Sequence, residues 1–208
     1  MSLDRAEFDR LLASVLAQLG FQLDSHQADM LYKHYQLLGR WSRRINLTSI
    51  SDPEKVVFRH FGESLAVAKL IGPGVGRVVD IGAGAGFPGV PVAVCWPHRQ
   101  VTLVESAGKK AVFLKEIERI QPNLTVYEGR FEQYQGQAEW AIMRAVGASG
   151  VETQVRKVAQ WLAFIGSAAK AFEVARQFGL AEIEERSVPW DARTVIVSGE
   201  IIARARST

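Results

Sequence analysis

The stretch from Arg77 to Gly89 limits the folds open to this chain more than any other. It reads Arg-Val-Val-Asp-Ile-Gly-Ala-Gly-Ala-Gly-Phe-Pro-Gly. The β-branched run predicts a strand over 77–81, and glycine at every second position then lets the backbone turn through positive φ. A helix is expected from about Pro88 to Trp96. The unit recurs: 101–105 is the next expected strand, a helix follows from about Lys109 to Ile120, and Leu124–Tyr127 and Trp140–Met143 are further strands. A helix near Val151–Leu162 precedes a fifth strand over Ala163–Ala169. Strands alternating with helices form a parallel sheet covered on both faces. The last two strand-like runs, Glu182–Val188 and Thr194–Ile202, have no clear helix between them. Parallel pairing needs a long crossover, so they are expected to close the sheet as an antiparallel hairpin. The fold class is α/β, a mostly parallel sheet of seven strands.

Three helices precede the sheet. Phe8, Leu11, Leu12, Val15, Leu16 and Leu19 recur at helical spacing and stop at Gly20. A second stripe, Leu31, Tyr35, Leu38, Trp41 and Ile45, lies in a helix expected from about Ser25 to Arg44. Asp52-Pro53 opens the third, with Val56, Val57, His60, Phe61, Ser64, Leu65 and Ala68 on its buried face. The Gly72-Pro73-Gly74 break divides a helical extension, 1–74, from the main domain, 75–208.

Lys and Arg outnumber Asp and Glu by 25 to 22, a net charge of +3 that only weakly favours an anionic partner. A single cysteine, Cys95, excludes an internal disulfide and a multi-cysteine metal site, and no metal is expected. No apolar run reaches the length of about eighteen residues needed to span a membrane. Asp4, Glu7 and Asp9 argue against a secretory leader. A cytoplasmic monomer with no membrane partner is the expectation.

Placed at the carboxyl edge of a parallel sheet, the glycine loop faces the crevice where ligands bind. Gly84-x-Gly86-x-x-Gly89 admits a dinucleotide, and Glu105, ending the second strand, can accept from two ribose hydroxyls. S-adenosylmethionine carries the same ribose. Asp80 separates the two ligands, because its carboxylate suits the methionine ammonium and repels a pyrophosphate. Hydride chemistry also lacks a Tyr-x-x-x-Lys dyad here. If a methyl group is transferred, pyrimidine C5 needs a cysteine nucleophile, and Cys95 falls inside a helix as a small buried residue. Exocyclic amines are served by an Asn/Asp-Pro-Pro-aromatic turn, where this chain has Met143-Arg144-Ala145-Val146. Arg144 likewise replaces the acid near a lysine base that ribose 2′-hydroxyl transfer favours. What remains is an acceptor that already carries a free lone pair, of which guanine N7 is one; it needs no base, and alignment alone supplies about 7–11 kcal/mol in favourable cases.

Trp41-Ser42-Arg43-Arg44-Ile45-Asn46-Leu47-Thr48, His60-Phe61 with Ser64-Leu65, the loop from Asp80 to Pro91, Val104-Glu105-Ser106-x-Gly108-Lys109-Lys110, Gly129-Arg130-Phe131-Glu132 and Arg144-Ala145 occur in this order. Together they resemble the bacterial guanine-N7 methyltransferases of small-subunit ribosomal RNA, over nearly the whole chain. The resemblance implies a Rossmann-like class I S-adenosylmethionine-dependent methyltransferase fold. It also implies S-adenosylmethionine as donor and a guanine N7 of 16S rRNA, near the decoding centre, as acceptor. By position, Gly82 and Phe87 join Asp80, Gly84, Gly86 and Glu105 at the donor. Phe131 and Glu132 would lie by the adenine, and Arg144 beside donor or target as the catalytic residue. Two departures stand out: Gly62-Glu63, where the family often has Leu-Asp, and Lys170-Ala171, where it tends to have Lys-Gly.

Arg43, Arg44, Lys109, Lys110 and Arg130 are the expected contacts to 16S rRNA or the small subunit. The bland alternatives are solvated side chains and, for Trp41, a simple apolar anchor. A nucleotide-dependent oxidoreductase and a non-catalytic RNA-binding protein on the same fold are the rival functions.

Overall fold

The computed structural model describes residues 3–144 and 150–202. Ala145 and Val146 lie outside them, as do Met1 and Ser2. Helices α1 (Arg5–Leu19) and α2 (Ser25–Trp41) each begin with a reciprocal cap. Asp4 accepts from the Glu7 amide while Glu7 accepts from the Asp4 amide, and Asp24 and Gln27 repeat the exchange. Asp52 caps α3 (Pro53–Val56) by accepting from the amides of Glu54 and Lys55. The chain then widens into a π turn, Val57–Gly62, and continues as α4 (Glu63–Ile71).

The main domain follows as β1 (Gly76–Ile81), α5 (Gly89–Cys95), β2 (Arg99–Glu105), α6 (Gly108–Glu118), β3 (Leu124–Glu128) and β4 (Ala138–Arg144). It ends with α7 (Glu152–Val158), β5 (Ala159–Ser167), α8 (Ala168–Phe178), β6 (Leu180–Val188) and β7 (Asp191–Ile201). The seven strands are ordered β3-β2-β1-β4-β5-β7-β6. β1 to β5 are parallel, and the expected closing hairpin is present, with β7 antiparallel to both β5 and β6. The order reverses between β1 and β4, which opens a crevice at their carboxyl ends.

Strand periodicity feeds two apolar layers. Val78, Leu103 and Ile142 face the side covered by α1, α2, α4, α5 and α6, while Val79, Val104, Ala141 and Met143 face α7 and α8. The helical extension shares the first layer: Phe8 of α1 packs within 5.2–5.4 Å of the rings of Tyr35, Tyr32 and Phe61.

Three expectations need correcting. The helix drawn to Leu162 stops at Val158, because Trp161 and Leu162 pair with Trp140 and Ala141 in the sheet. The fifth strand therefore starts at Ala159 and ends at Ser167, whose hydroxyl accepts from the Lys170 amide and caps the unforeseen helix α8. The second helix ends at Trp41 rather than Arg44.

Candidate functional site

The crevice begins where β1 ends. Asp80 is 1% exposed, and its Oδ2 accepts from the Gly89 amide at 2.7 Å, which ties the strand to the start of α5. Its Oδ1 is buried and has no partner. Burial pushes this carboxyl up to about 7, aided by the nearby charge of Glu105. Between strand and helix the loop turns through positive φ at Gly82, Gly84 and Gly86. A Cβ on Gly86 would stand 2.6 Å from Val90 Cγ2, so that glycine serves packing. A Cβ on Gly84 would meet nothing nearer than 3.7 Å, so that stretch of backbone is open to a ligand.

Glu105 closes β2. Its Oε2 accepts from the Gly84 amide at 2.8 Å and its Oε1 from the Ala107 amide at 2.7 Å. One carboxylate thus fixes both the glycine loop and the turn into α6. Each oxygen keeps a further lone pair for a ligand hydroxyl.

Phe87 lies deeper. Its ring is 5% exposed and sits between two imidazoles, His34 at 4.6 Å and His60 at 4.8 Å. His34 Nε2 is 2.8 Å from the Ala85 carbonyl, which can only accept, so Nε2 carries the proton. Burial pulls His34 down to about 4. His60 is pulled to about 3, first by burial and then by the charge of Arg144.

Arg144 ends β4 beside β1, and it is held on three sides. Nη2 pairs with Glu63 Oε2 at 2.7 Å and donates to the Arg59 carbonyl at 2.8 Å; Nη1 donates to His60 Nδ1 at 2.6 Å. A guanidinium only donates, so His60 is neutral with its proton on Nε2, which donates to Thr48 Oγ1 at 2.7 Å. Burial lowers Arg144 and raises Glu63, and each charge counters the other's shift. Arg59 Nε stands 3.5 Å from the other Glu63 oxygen. The π turn and the first residue of α4 thereby deliver His60, Arg59 and Glu63 to the tip of β4.

Lys109 is exposed and Lys110 half-buried in the first turn of α6, and Arg130 and Glu132 are exposed after β3. Phe131 is 5% exposed, with its ring 6.0 Å from Tyr134. Arg43 and Arg44 are exposed past the end of α2, in a cavity shared with Arg40, Trp41 and Glu116. Trp41 is an anchor: its indole donates to Glu116 at 3.0 Å and meets Phe113 edge-on at 6.0 Å. Lys170 pairs with Glu173 at 2.8 Å and lines a cavity of about 490 Å³ that also contains Arg144. Cys95 is buried, and burial raises its thiol pKa, as befits an inert packing residue. Sequence reading carried Thr48 only as the end of a family-like segment and Glu63 only as a departure from the family pattern, and it did not bring either of them, His34 or Arg59 to this site.

Residues 27–186 match the family described as rRNA small subunit methyltransferase G (GidB). A relative from Stutzerimonas stutzeri, Ribosomal RNA small subunit methyltransferase G, is 35% identical over 153 residues, 73% of this chain and 69% of its own. This chain belongs to that family. The Pseudomonas entomophila methyltransferase G is 40% identical over 126 residues, or 60% of this chain, and the chain spans 58% of that relative's length. For the Roseiflexus castenholzii methyltransferase G the identity is 44%, over 51% of this chain and 45% of the relative. Among solved structures, Aeropyrum pernix fibrillarin with natively bound S-adenosyl-L-methionine superposes with a TM-score of 0.53 at 16% identity, covering 65% of this chain and 73% of that one. Precorrin-6y C5,15-methyltransferase from Geobacter metallireducens gives 0.53 at 13% identity, over 67% and 87%. At such identities the likeness is one of fold, the Rossmann-like class I methyltransferase fold that the family shares.

Proposed function

We propose that this member of the methyltransferase G family transfers a methyl group from S-adenosylmethionine to N7 of a guanine in 16S rRNA. The observation that carries this is the pair of buried carboxylates, Asp80 and Glu105, at the carboxyl ends of β1 and β2 near the clamped guanidinium of Arg144. Asp80 has a buried oxygen without a partner, which an ammonium group would satisfy. Glu105 retains acceptor capacity for ribose hydroxyls, and the backbone at Gly84 leaves room for the donor to approach. Ionised Asp80 attracts an ammonium and repels a pyrophosphate, which weighs against the dinucleotide oxidoreductase. Gly82, Gly86, Phe87, Phe131 and Glu132 complete the donor's surroundings in this reading.

The bound donor supplies a sulfonium methyl. With that methyl as electrophile, the lone pair of guanine N7 would serve as nucleophile, the carbon–sulfur electrons staying with sulfur. No proton has to leave, so no general base is required. Arg144 uses three of its five N–H donors on His60, Glu63 and the Arg59 carbonyl, which leaves two for an acceptor such as guanine O6. Glu63 neutralises that guanidinium, easing its repulsion of the positive charge that grows on the methylated ring. Arg43, Arg44, Lys109, Lys110 and Arg130 would hold the RNA backbone. The reading places the enzyme with small subunits in the cytoplasm, acting as a monomer without a metal, its helical extension serving as part of the RNA-binding face.

The test is incubation of the protein with methyl-labelled donor and small subunits from cells lacking this modification. Label at N7 of a single guanine is expected. Label on protein, on a small molecule or at another atom of the RNA would overturn it.

A further inference from the structure

Beyond Arg144, the carboxyl edge continues into a surface that donor binding does not use. The cavity of about 490 Å³ containing Arg144 shares Arg59, Asp191 and Arg193 with a neighbour of about 450 Å³. The two therefore form one trough, each part within the range of about 300–1,000 Å³ typical of ligand clefts. Its far wall is aromatic: the rings of Phe58 and Trp190 meet edge-on at 5.8 Å. Its rim is basic. Lys55, Arg59, Lys170 and Arg193 line it in addition to Arg144, against Glu54, Asp191 and Glu63, and the first four pair with Asp52, Glu63, Glu173 and Asp191 at 3.7, 3.5, 2.8 and 3.3 Å.

Trp190 reaches this position through a vacancy in the π turn. A Cβ on Gly62 would lie 2.6 Å from Trp190 Cζ2, so only glycine lets the indole seat there. The tip of the β6–β7 hairpin is thereby docked against the segment that carries Arg59 and His60. The indole Nε1 is buried without a partner. An aromatic wall beside a row of cations is what an unpaired nucleic-acid strand recognises: bases stack on the rings while phosphates meet Lys and Arg.

We infer that this trough holds the single-stranded RNA immediately flanking the target guanine, with the neighbouring base against Trp190. The inference rests on the proposed rRNA substrate and adds where its strand runs and which residue grips it. Trp190 touches neither the donor site nor the reacting atoms, but it abuts the π turn at Gly62, so a grip on RNA shows in KM and bracing of the turn shows in kcat.

The experiment compares wild type, Trp190→Ala, Trp190→Phe and Arg193→Glu on unmethylated small subunits. Trp190→Ala should raise KM for the subunit at least about five-fold, the lower end of the effect of losing one base–aromatic stack. kcat should stay within about two-fold and S-adenosylhomocysteine affinity should be unchanged, the pattern of a binding contact remote from the chemistry. Trp190→Phe should recover most of the loss, and Arg193→Glu should weaken binding and flatten its salt dependence. Unchanged KM in Trp190→Ala, or a loss confined to kcat, overturns the inference, because bracing of the π turn alone would act through Arg144. Should Trp190→Ala fail to fold, tryptophan fluorescence decides: titration with single-stranded rRNA oligonucleotide must quench wild type more than Trp190→Phe, and equal quenching overturns it. Failure of wild type to methylate subunits removes the substrate reading and this inference together; methylation with an unmoved KM removes this inference alone.

Discussion

Loss of the Glu63 carboxylate should be among the most damaging single changes outside the apolar core. The Glu63–Arg144 pair is 2.7 Å long, with side chains 2% and 15% exposed, so neither charge is well hydrated. Removing one partner of a buried pair costs about 3–5 kcal/mol, because the survivor is left uncompensated. Arg144 keeps His60 and the Arg59 carbonyl as acceptors, so Glu63→Ala is expected at the lower end, about 3 kcal/mol. For a chain of this size each kcal/mol moves Tm by about 2–4 °C, which gives a fall of about 6–12 °C at pH 7. Glu63→Gln keeps an acceptor for Nη2 and should cost roughly half as much. The double variant Glu63→Leu, Arg144→Met removes both charges, so it should cost less than the two single changes summed, by at least about 1.5 kcal/mol. Urea and thermal denaturation supply all of these values, with methyl transfer measured in parallel. Stability should recover in the double variant while activity stays lost. A Tm shift under about 2 °C in Glu63→Ala, or strictly additive costs, would refute the view that this pair is buried and coupled.

Three further outcomes follow from the crevice. Asp80 is raised to about 7, so the free fold prefers it protonated and stability falls as pH rises from about 4 toward 7; an ammonium ligand favours the ionised form, so S-adenosylhomocysteine affinity by calorimetry should climb with pH to about 7 and then level off, and Asp80→Asn should bind weakly without that slope. Gly86→Ala meets Val90 at 2.6 Å and should destabilise the fold by about 1–3 kcal/mol, whereas Gly84→Ala should cost only about 1 kcal/mol of backbone strain yet weaken the donor; denaturation and calorimetry on both variants separate packing from ligand approach. Lys109→Glu with Lys110→Glu should lower affinity for small subunits and reduce its salt dependence, leaving S-adenosylhomocysteine affinity intact; an unchanged salt slope would remove both lysines from the RNA contact.

Much of the architecture was legible because local signals and tertiary pairing agreed. The Asp52 cap, the glycine corner and the terminal hairpin all stood where the sequence pattern put them, whereas the reciprocal caps at Asp4 and Asp24 had not been expected. Around residue 160 the two conflicted. Val151, Val155, Val158 and Leu162 keep helical spacing, but pairing of Trp161 beside Trp140 pulls Ala159–Leu162 into the sheet. The alanines after Ser167 suit strand or helix equally, and a single hydroxyl cap marks the switch into α8. The crevice was partly legible: Asp80, the glycines and Glu105 are contiguous with recognisable elements and do converge. The clamp on Arg144 was not, because a π turn shifts helical phase by one residue and brings His60 and Glu63 to Arg144 across more than eighty residues of chain.

The position of β7 has a consequence for how the molecule is made. It is the last of these seven strands to be synthesised, yet it lies inside β6, which among the described residues pairs with β7 alone. Until residues 191–201 emerge from the ribosome, β5 presents a raw hydrogen-bonding edge and β6 has nothing to join. Truncation after Val188 would leave that edge open beside Phe164 and Ile165, a template for self-association. The nascent chain is thus most vulnerable in the interval before its final strand slides between two neighbours already waiting for it.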